Sequence, residues 1–189
     1  MTDASDREIL LCLAETLDVA ATCDRLRISR SRLKQCLERA AGNPPPEVPP
    51  PLEPLESVTV NIDGAARGNP GPAGAGVVIW RGNKVFEEFC EYLGKATNNQ
   101  AEYRALVLAL RRARELGARK VAVRSDSELL VKQLLGEYRV KNPELKVLFQ
   151  QAQDLKRGFK NFTIEHIPRE DNREADRLAN RAIDEFAEG

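Results

Sequence analysis

Seven of the eleven prolines fall between Pro44 and Pro54. Proline fixes φ and lacks an N–H, so this stretch is neither helix nor central strand. It reads as a semi-rigid polyproline II spacer, rising about 3.1 Å per residue. No basic anchor residue accompanies it, so a plain linker is expected rather than an SH3-type ligand. The spacer, residues 43–56, divides the 189-residue chain into a segment 1–42 and a segment 57–189. Charge divides there too. Residues 57–189 carry 22 Lys/Arg against 19 Asp/Glu, and residues 1–56 carry 7 against 10, so a formal net charge of zero hides a mildly basic C-terminal part. An excess of three charges does not by itself indicate a nucleic-acid partner.

Hydrophobic residues at 42% and charged residues at 31% suit a soluble globular protein. No apolar run approaches the ~18 residues of a membrane span, so no membrane partner is expected. Met1 to Asp6 lack the basic start and apolar core of a signal peptide, and a cytoplasmic protein is expected. The four cysteines (Cys12, Cys23, Cys36, Cys90) form no CxxC pair, and His166 is the single histidine. A Cys/His zinc site is not expected, and the thiols read as buried and free.

The N-terminal segment reads as a small all-α, three-helix domain. Ser5-Asp6-Arg7-Glu8 is a capping box, and Ile9, Leu10, Leu13 and Leu17 follow at helical spacing. Asp18 can cap a second helix through Leu26. Ser29 can cap a third helix, which carries Leu33, Cys36, Leu37 and Ala40 and ends at Gly42. A short helix, a tight turn at Arg27-Ile28 and a helix opening Arg30-Ser31-Arg32-Leu33-Lys34 resemble a helix-turn-helix unit, whose second helix enters the major groove. Arg30, Arg32 and Lys34 are the candidate contacts to DNA or RNA. A docking or dimerisation domain gives the same apolar spacing, so both readings stay open.

The second domain alternates strands and helices. Val58 to Asp63 alternates with period 2, Gly68 to Pro72 is a turn, and Ala75 to Trp80 and Val85 to Tyr92 read as strands. Asn98 to Leu116 is a long helix. Strand Val121–Arg124, helices Ser127–Leu135 and Pro143–Arg157, strand Phe162–Ile167 and helix Arg173–Phe186 follow. The expected fold is α/β, a mixed five-stranded sheet flanked by helices.

Four acidic residues stand out by position. Asp63 ends the first strand and precedes Gly64, where another backbone or a ligand could approach closely. Glu102 falls in the first turn of the long helix, Asp126 follows a strand end, and Asp176 lies in the first turn of the last helix. Carboxylates converging without His or Cys suit hard cations such as Mg²⁺ or Mn²⁺. Taken singly, each is more often a cap or a surface charge: Asp126 could cap the Ser127 helix, and Glu102 could serve the helix dipole.

Four motifs occur in order: Asp63-Gly64-Ala-Ala-Arg-Gly68-Asn69-Pro70-Gly71-Pro72, Thr97-Asn98-Asn99-Gln100-Ala101-Glu102, Ser125-Asp126-Ser127, and Asn172-Arg-Glu-Ala-Asp176-Arg-Leu-Ala-Asn180. With them, Ser57 to the C-terminus resembles the type 1 ribonuclease H family. The resemblance implies an endonuclease cutting the RNA strand of RNA–DNA hybrids, leaving 5′-phosphate and 3′-hydroxyl ends. It implies two Mg²⁺ ions, replaceable by Mn²⁺, held by Asp63, Glu102, Asp126 and Asp176. Asn69, Asn98 and Asn99 match positions that reach the hybrid's minor groove. Lys95 and Thr97 match a phosphate-gripping pair, and Gly64 and Gln100 belong to the same substrate-binding motifs. A monomer is expected. The rival reading is a non-catalytic or regulatory nucleic-acid binder on the same fold.

Two departures stand out. Many bacterial relatives carry a histidine on a loop before the final aspartate; here that loop is only Pro168-Arg169-Glu170-Asp171. His166 lies earlier and is expected to be partly buried on the parity of Phe162 and Ile164, leaving Arg169 or Glu170 as accessory groups. The basic insertion between the second and third helices is also absent, with Lys132, Arg139 and Lys141 supplying a lesser charge.

Overall fold

The computed structural model describes residues 5–42 and 55–187. The chain divides into two compact units, one within residues 1–51 and one within 52–189. The expected polyproline spacer lies outside the described residues, apart from Leu55 and Glu56. Leu55 is buried in the core of the second unit, and its N–H donates to the Leu116 carbonyl at 3.3 Å. No helix of the described residues is long and apolar enough to cross a membrane.

The N-terminal unit contains α1 (Asp6–Thr16), α2 (Val19–Leu26) and α3 (Arg30–Gly42). Ser5 Oγ accepts from the Glu8 N–H while Glu8 accepts from the Ser5 N–H, the reciprocal cap that the sequence signals. Asp18 Oδ1 caps α2 through the Ala20 and Ala21 N–H groups. Ser29 Oγ accepts from the Arg32 N–H at the head of α3. Arg27, with φ at 53°, turns the chain between α2 and α3. Ile9, Cys23, Leu33 and Cys36 form the core. Leu17 does not join it. It adopts φ 50° as the residue that ends α1, so its side chain leaves the apolar face and is 87% exposed. Cys12, Cys23 and Cys36 are buried and in no disulfide, whereas Cys90, in the second unit, is only half-buried.

The second unit contains β1 (Ser57–Ala66), β2 (Gly71–Arg81), β3 (Lys84–Ala96), α4 (Asn98–Glu115), β4 (Lys120–Ser125), α5 (Glu128–Leu134), α6 (Pro143–Lys156), β5 (Asn161–His166) and α7 (Arg173–Ala187). A short 3₁₀ turn, Arg169–Asp171, precedes α7. The sheet order is β3-β2-β1-β4-β5. The first three strands are antiparallel, while β4 runs parallel to β1 and β5 parallel to β4. Helices cover both faces. Val77 and Ile79 of β2 share a core with Val58, Val60, Ile62 and the buried residues of α4, and Val78, between them, packs on Ala175 and Leu178 of α7. This follows from the period of 2 along a strand.

Glycines set how closely α7 sits. A Cβ on Gly74 would lie 2.3 Å from the Ala179 carbonyl oxygen, and one on Gly76 would lie 2.1 Å from that of Ala175. The helix backbone therefore rests directly on β2, and β2 begins at Gly71 rather than at the expected Ala75. His166 is exposed, not partly buried. It is the last residue of an edge strand, paired only with Ser125, and the core that takes Ile164 stops short of it.

Candidate active site

Strand register brings the first two carboxylates together. Ile62 of β1 pairs with Ser125 of the parallel β4, so Asp63 and Asp126 lie side by side. Asp126 follows the end of β4, but Asp63 does not end its strand as expected: it is still paired with Gly76, and β1 continues to Ala66. Asp126 does not cap α5. Ser127 does so, its Oγ accepting from the Leu130 N–H. Glu102 comes from α4, which starts at Asn98 behind a Thr97–Gln100 capping box. Glu102 is thus the fifth helical residue, one turn later than expected from the sequence, and points inward instead of serving the helix terminus. Gly64 permits this approach: a Cβ there would lie 2.1 Å from the Glu102 backbone nitrogen. Of the two close approaches open at Gly64, the backbone one is realised.

Asp63, Glu102 and Asp126 each offer an oxygen, all within 4.8 Å of one another. Asp63 and Glu102 are 6% exposed. Asp176, in the first turn of α7, lines the same cleft of about 270 Å³. It is ion-paired to Arg169, with Nη2 to Oδ1 at 2.7 Å, and Asn180 donates to its carboxylate at 3.3 Å. The structure thus brings Arg169, but not Glu170, to the carboxylates. Glu170 lines a separate, smaller cleft beside Trp80.

Burial pushes the Asp63 carboxyl up to about 7, helped by the charges of Asp126 and Asp176 and opposed by Arg169 and the Gly64 N–H. Burial, then the charges of Asp63 and Asp126, raises Glu102 well above the usual carboxylate range. Glu102 Oε2 is buried without a hydrogen-bond partner. A buried carboxylate oxygen in that state is costly unless a cation answers it. An all-oxygen set converging on one point fits a hard divalent ion, and no His or Cys intrudes.

The expected substrate residues divide between this cleft, which Gly64 also lines, and an adjacent one. Asn98 lines it, and its N–H donates to Asn69 Oδ1 at 3.3 Å. Asn99 is exposed beside it. Lys95, Thr97 and Gln100 instead line an adjacent cleft of about 620 Å³, together with Arg104 and Glu144. Thr97 Oγ1 and Gln100 Oε1 are engaged in the α4 cap, and Gln100 Nε2 donates to Glu144.

Sequence reasoning assigned Asn172 no role. It is 1% exposed. Its Nδ2 donates to Asp126 Oδ1 at 2.8 Å and to the Ile62 carbonyl at 2.9 Å, and its Oδ1 accepts from Asn61 Nδ2 at 3.2 Å. Its position immediately before a helix reads as an ordinary N-cap, which hides the inward contacts.

A family model described as reverse transcriptase-like matches residues 61–182. Ribonuclease HI of Halobacterium salinarum is 40% identical over 147 residues, covering 76% of this chain and 74% of that protein. The chain belongs to the type 1 ribonuclease H family. The crystal structure of a ribonuclease H1 from the same halophilic archaeon superposes with a TM-score of 0.67 at 43% identity, covering 68% of this chain and 98% of that one. LC11-RNase H1, solved in complex with an RNA/DNA hybrid, gives a TM-score of 0.66 at 44% identity, covering 69% of this chain and 99% of that one. The bifunctional protein Rv2228c of Mycobacterium tuberculosis is 47% identical over 133 residues. These are 69% of this chain but 36% of that protein, so the chain spans about a third of that relative's length. These matches cover about seven-tenths of the chain, as the ribonuclease H motifs do.

Proposed function

We propose that the second unit is a metal-dependent endonuclease that hydrolyses the RNA strand of RNA–DNA hybrids, leaving 5′-phosphate and 3′-hydroxyl ends. One observation carries this reading: three carboxylates offer oxygens within 4.8 Å, and one buried oxygen of Glu102 has no protein partner. Relatives named ribonuclease H, and the hybrid-bound structure of one of them, support the substrate. Asp63, Glu102, Asp126 and Asp176 hold two Mg²⁺ ions, with Mn²⁺ able to substitute. When bound, this pair supplies activation of water and charge stabilisation at the leaving oxygen. Asn69, Asn98 and Asn99 orient the hybrid beside the carboxylates, with Gly64 keeping α4 close enough for Glu102 to take part. Lys95 and Thr97 grip backbone phosphate in the adjacent cleft, next to Gln100. The 2′-hydroxyl beside Glu102 is the feature that separates RNA from DNA. Incubating the full chain with labelled hybrid, RNA duplex and DNA duplex, each with Mg²⁺ or with chelator, tests the reading. Cleavage of the hybrid alone, abolished by chelator, is expected. Hybrid binding without cleavage in Mg²⁺ would mark a non-catalytic binder.

For the N-terminal unit we propose contact with nucleic acid through α3. Arg30 and Lys34 are exposed just after the tight turn at Arg27, and no acidic residue occupies the first turn of α3. Arg32 is half-buried. Its Nη1 lies 2.8 Å from Asp6 Oδ1, tying α3 to α1.

A further inference from the structure

We propose that Asn172 is a positioning residue that fixes the rotamer of Asp126 for metal binding. This rests on the metal-dependent nuclease reading. Every polar atom of the Asn172 side chain is engaged. The two Nδ2 hydrogens meet two acceptors, Asp126 Oδ1 at 2.8 Å and the Ile62 carbonyl at 2.9 Å. Because both are acceptors, the amide can sit only one way round, and Oδ1 faces the Asn61 donor at 3.2 Å. At 1% exposure, no water competes for these bonds.

The consequence falls on Asp126. This residue follows the last residue of β4, is half-buried, and lies beyond the strand ladder that holds Asp63. A carboxylate at a strand end has rotamer freedom to lose. Asn172 restricts it from a rigid base, since its anchors Ile62 and Asn61 sit in β1, the central strand. By taking Oδ1, it leaves Oδ2 for a cation. The Asn172 carbonyl also accepts from the Asp176 N–H at 3.1 Å. One residue thus links the strand of Asp63, the side chain of Asp126 and the helical turn of Asp176. Groups that hold ligands in place in this manner change metal affinity or activity by about 10–100-fold when lost.

The test is Mn²⁺ titration of the full chain by calorimetry, with thermal unfolding and hybrid kinetics on the same samples. Asn172→Ala should raise the Mn²⁺ Kd by about 10–100-fold. It should lower kcat, leave the KM for hybrid unchanged, and regain turnover as Mn²⁺ is raised. A merely structural role lowers the unfolding temperature without moving the metal Kd in the folded protein. A folded Asn172→Ala with wild-type Mn²⁺ Kd overturns the proposal. If that variant does not fold, Asn61→Ala takes its place. It removes only the hold on Asn172 Oδ1 and should weaken Mn²⁺ in the same direction by a smaller factor; an unchanged Kd there overturns the proposal. Wild-type protein that binds no Mn²⁺ would instead overturn the metal-dependent reading beneath it.

Discussion

Arg169 Nη2 stands 2.7 Å from Asp176 Oδ1, and its charge also reaches Asp63 and Asp126. Among the described residues, the guanidinium is thus the cationic side chain that lines the carboxylate cleft. His166 is an exposed residue at the end of an edge strand. Arg169→Ala should therefore reduce kcat by about 10-fold, the lower end of what partners of metal ligands contribute. His166→Ala should leave most of the wild-type rate. Stability should move little in either case, within about 1 kcal/mol for the Arg169 pair, because Arg169 is 77% exposed. Steady-state kinetics on both variants, with unfolding curves, decide the point; a deeper loss in the histidine variant would reverse the assignment.

Asp126→Asn keeps the size of the side chain and removes its charge. As a proposed direct ligand it should cost more than an outer partner does, so hybrid cleavage in Mg²⁺ should fall by at least about 100-fold. The circular dichroism spectrum should match wild type, because Asp126 lies outside the strand ladder. Wild-type turnover in this variant would remove Asp126 from the metal site.

The raised Asp63 fixes a sign for pH dependence. Its carboxyl moves from 3.8 to about 7 on folding, mainly through burial. Between those values the folded chain holds the proton and the unfolded chain has released it. Stability of the metal-free protein therefore falls as pH rises through this window, by up to about 1.4 kcal/mol per unit, and levels off above it. Raised Glu102 acts in the same direction. In chelator, Asp63→Asn should show a flatter change in unfolding temperature between about pH 5 and about pH 8 than wild type. Divalent cation, which binds the deprotonated carboxylates, should stabilise wild type most at the alkaline end. Parallel curves for the two proteins would show that Asp63 does not titrate there.

Gly76→Ala tests the packing that carries Asp176. The added Cβ would sit 2.1 Å from the Ala175 carbonyl oxygen, so α7 must lift from β2. Overpacking of this kind costs about 1–3 kcal/mol or more, and Asp176 is the next residue along the helix. Both urea stability and kcat should fall. Gly82→Ala is the contrast. Its φ of 59° carries strain but nothing lies within 4 Å, so it should cost about 1–2 kcal/mol and leave kcat intact.

The starts of α4 at Asn98 and α7 at Arg173 fall where the sequence places them, whereas strand bounds shift: β1 runs past Asp63 to Ala66 and β3 past Tyr92 to Ala96. That Asp63 and Asp126 stand side by side follows from the Ile62–Ser125 register of two parallel strands, which no local signal in the sequence specifies. What escaped depends on tertiary packing. With Gly74 outside it, β2 reads as starting at Ala75, yet the bareness of Gly74 and Gly76 is what seats α7. The parity of His166 predicts burial, but parity says nothing about where a core ends. The inward contacts of Asn172 escaped because the groups it bonds, at Asn61, Ile62 and Asp126, lie 46 to 111 residues away in the chain.

The last prediction concerns the N-terminal unit. Leu55 belongs to the core of the second unit, so the informative deletion removes residues 1–54 and stops there. The remaining unit should fold alone, because the Halobacterium structure it matches is covered over 98% of its own length without such an extension. All four carboxylates lie in that unit, so kcat should stay near the full-length value. If α3 meets phosphates through Arg30 and Lys34, deletion should raise the KM for hybrid at low salt, and the difference should shrink as salt rises. Arg30→Ala with Lys34→Ala in the full chain should reproduce part of that rise, while Arg32→Ala should chiefly loosen the unit by releasing Asp6. Exposed Leu11, Leu17 and Val19 offer the opposing case, a docking surface for protein. That case gives equal KM values at every salt and a change in mass by light scattering between the two chains. Equal hybrid affinity at low salt would end the nucleic-acid reading of α3.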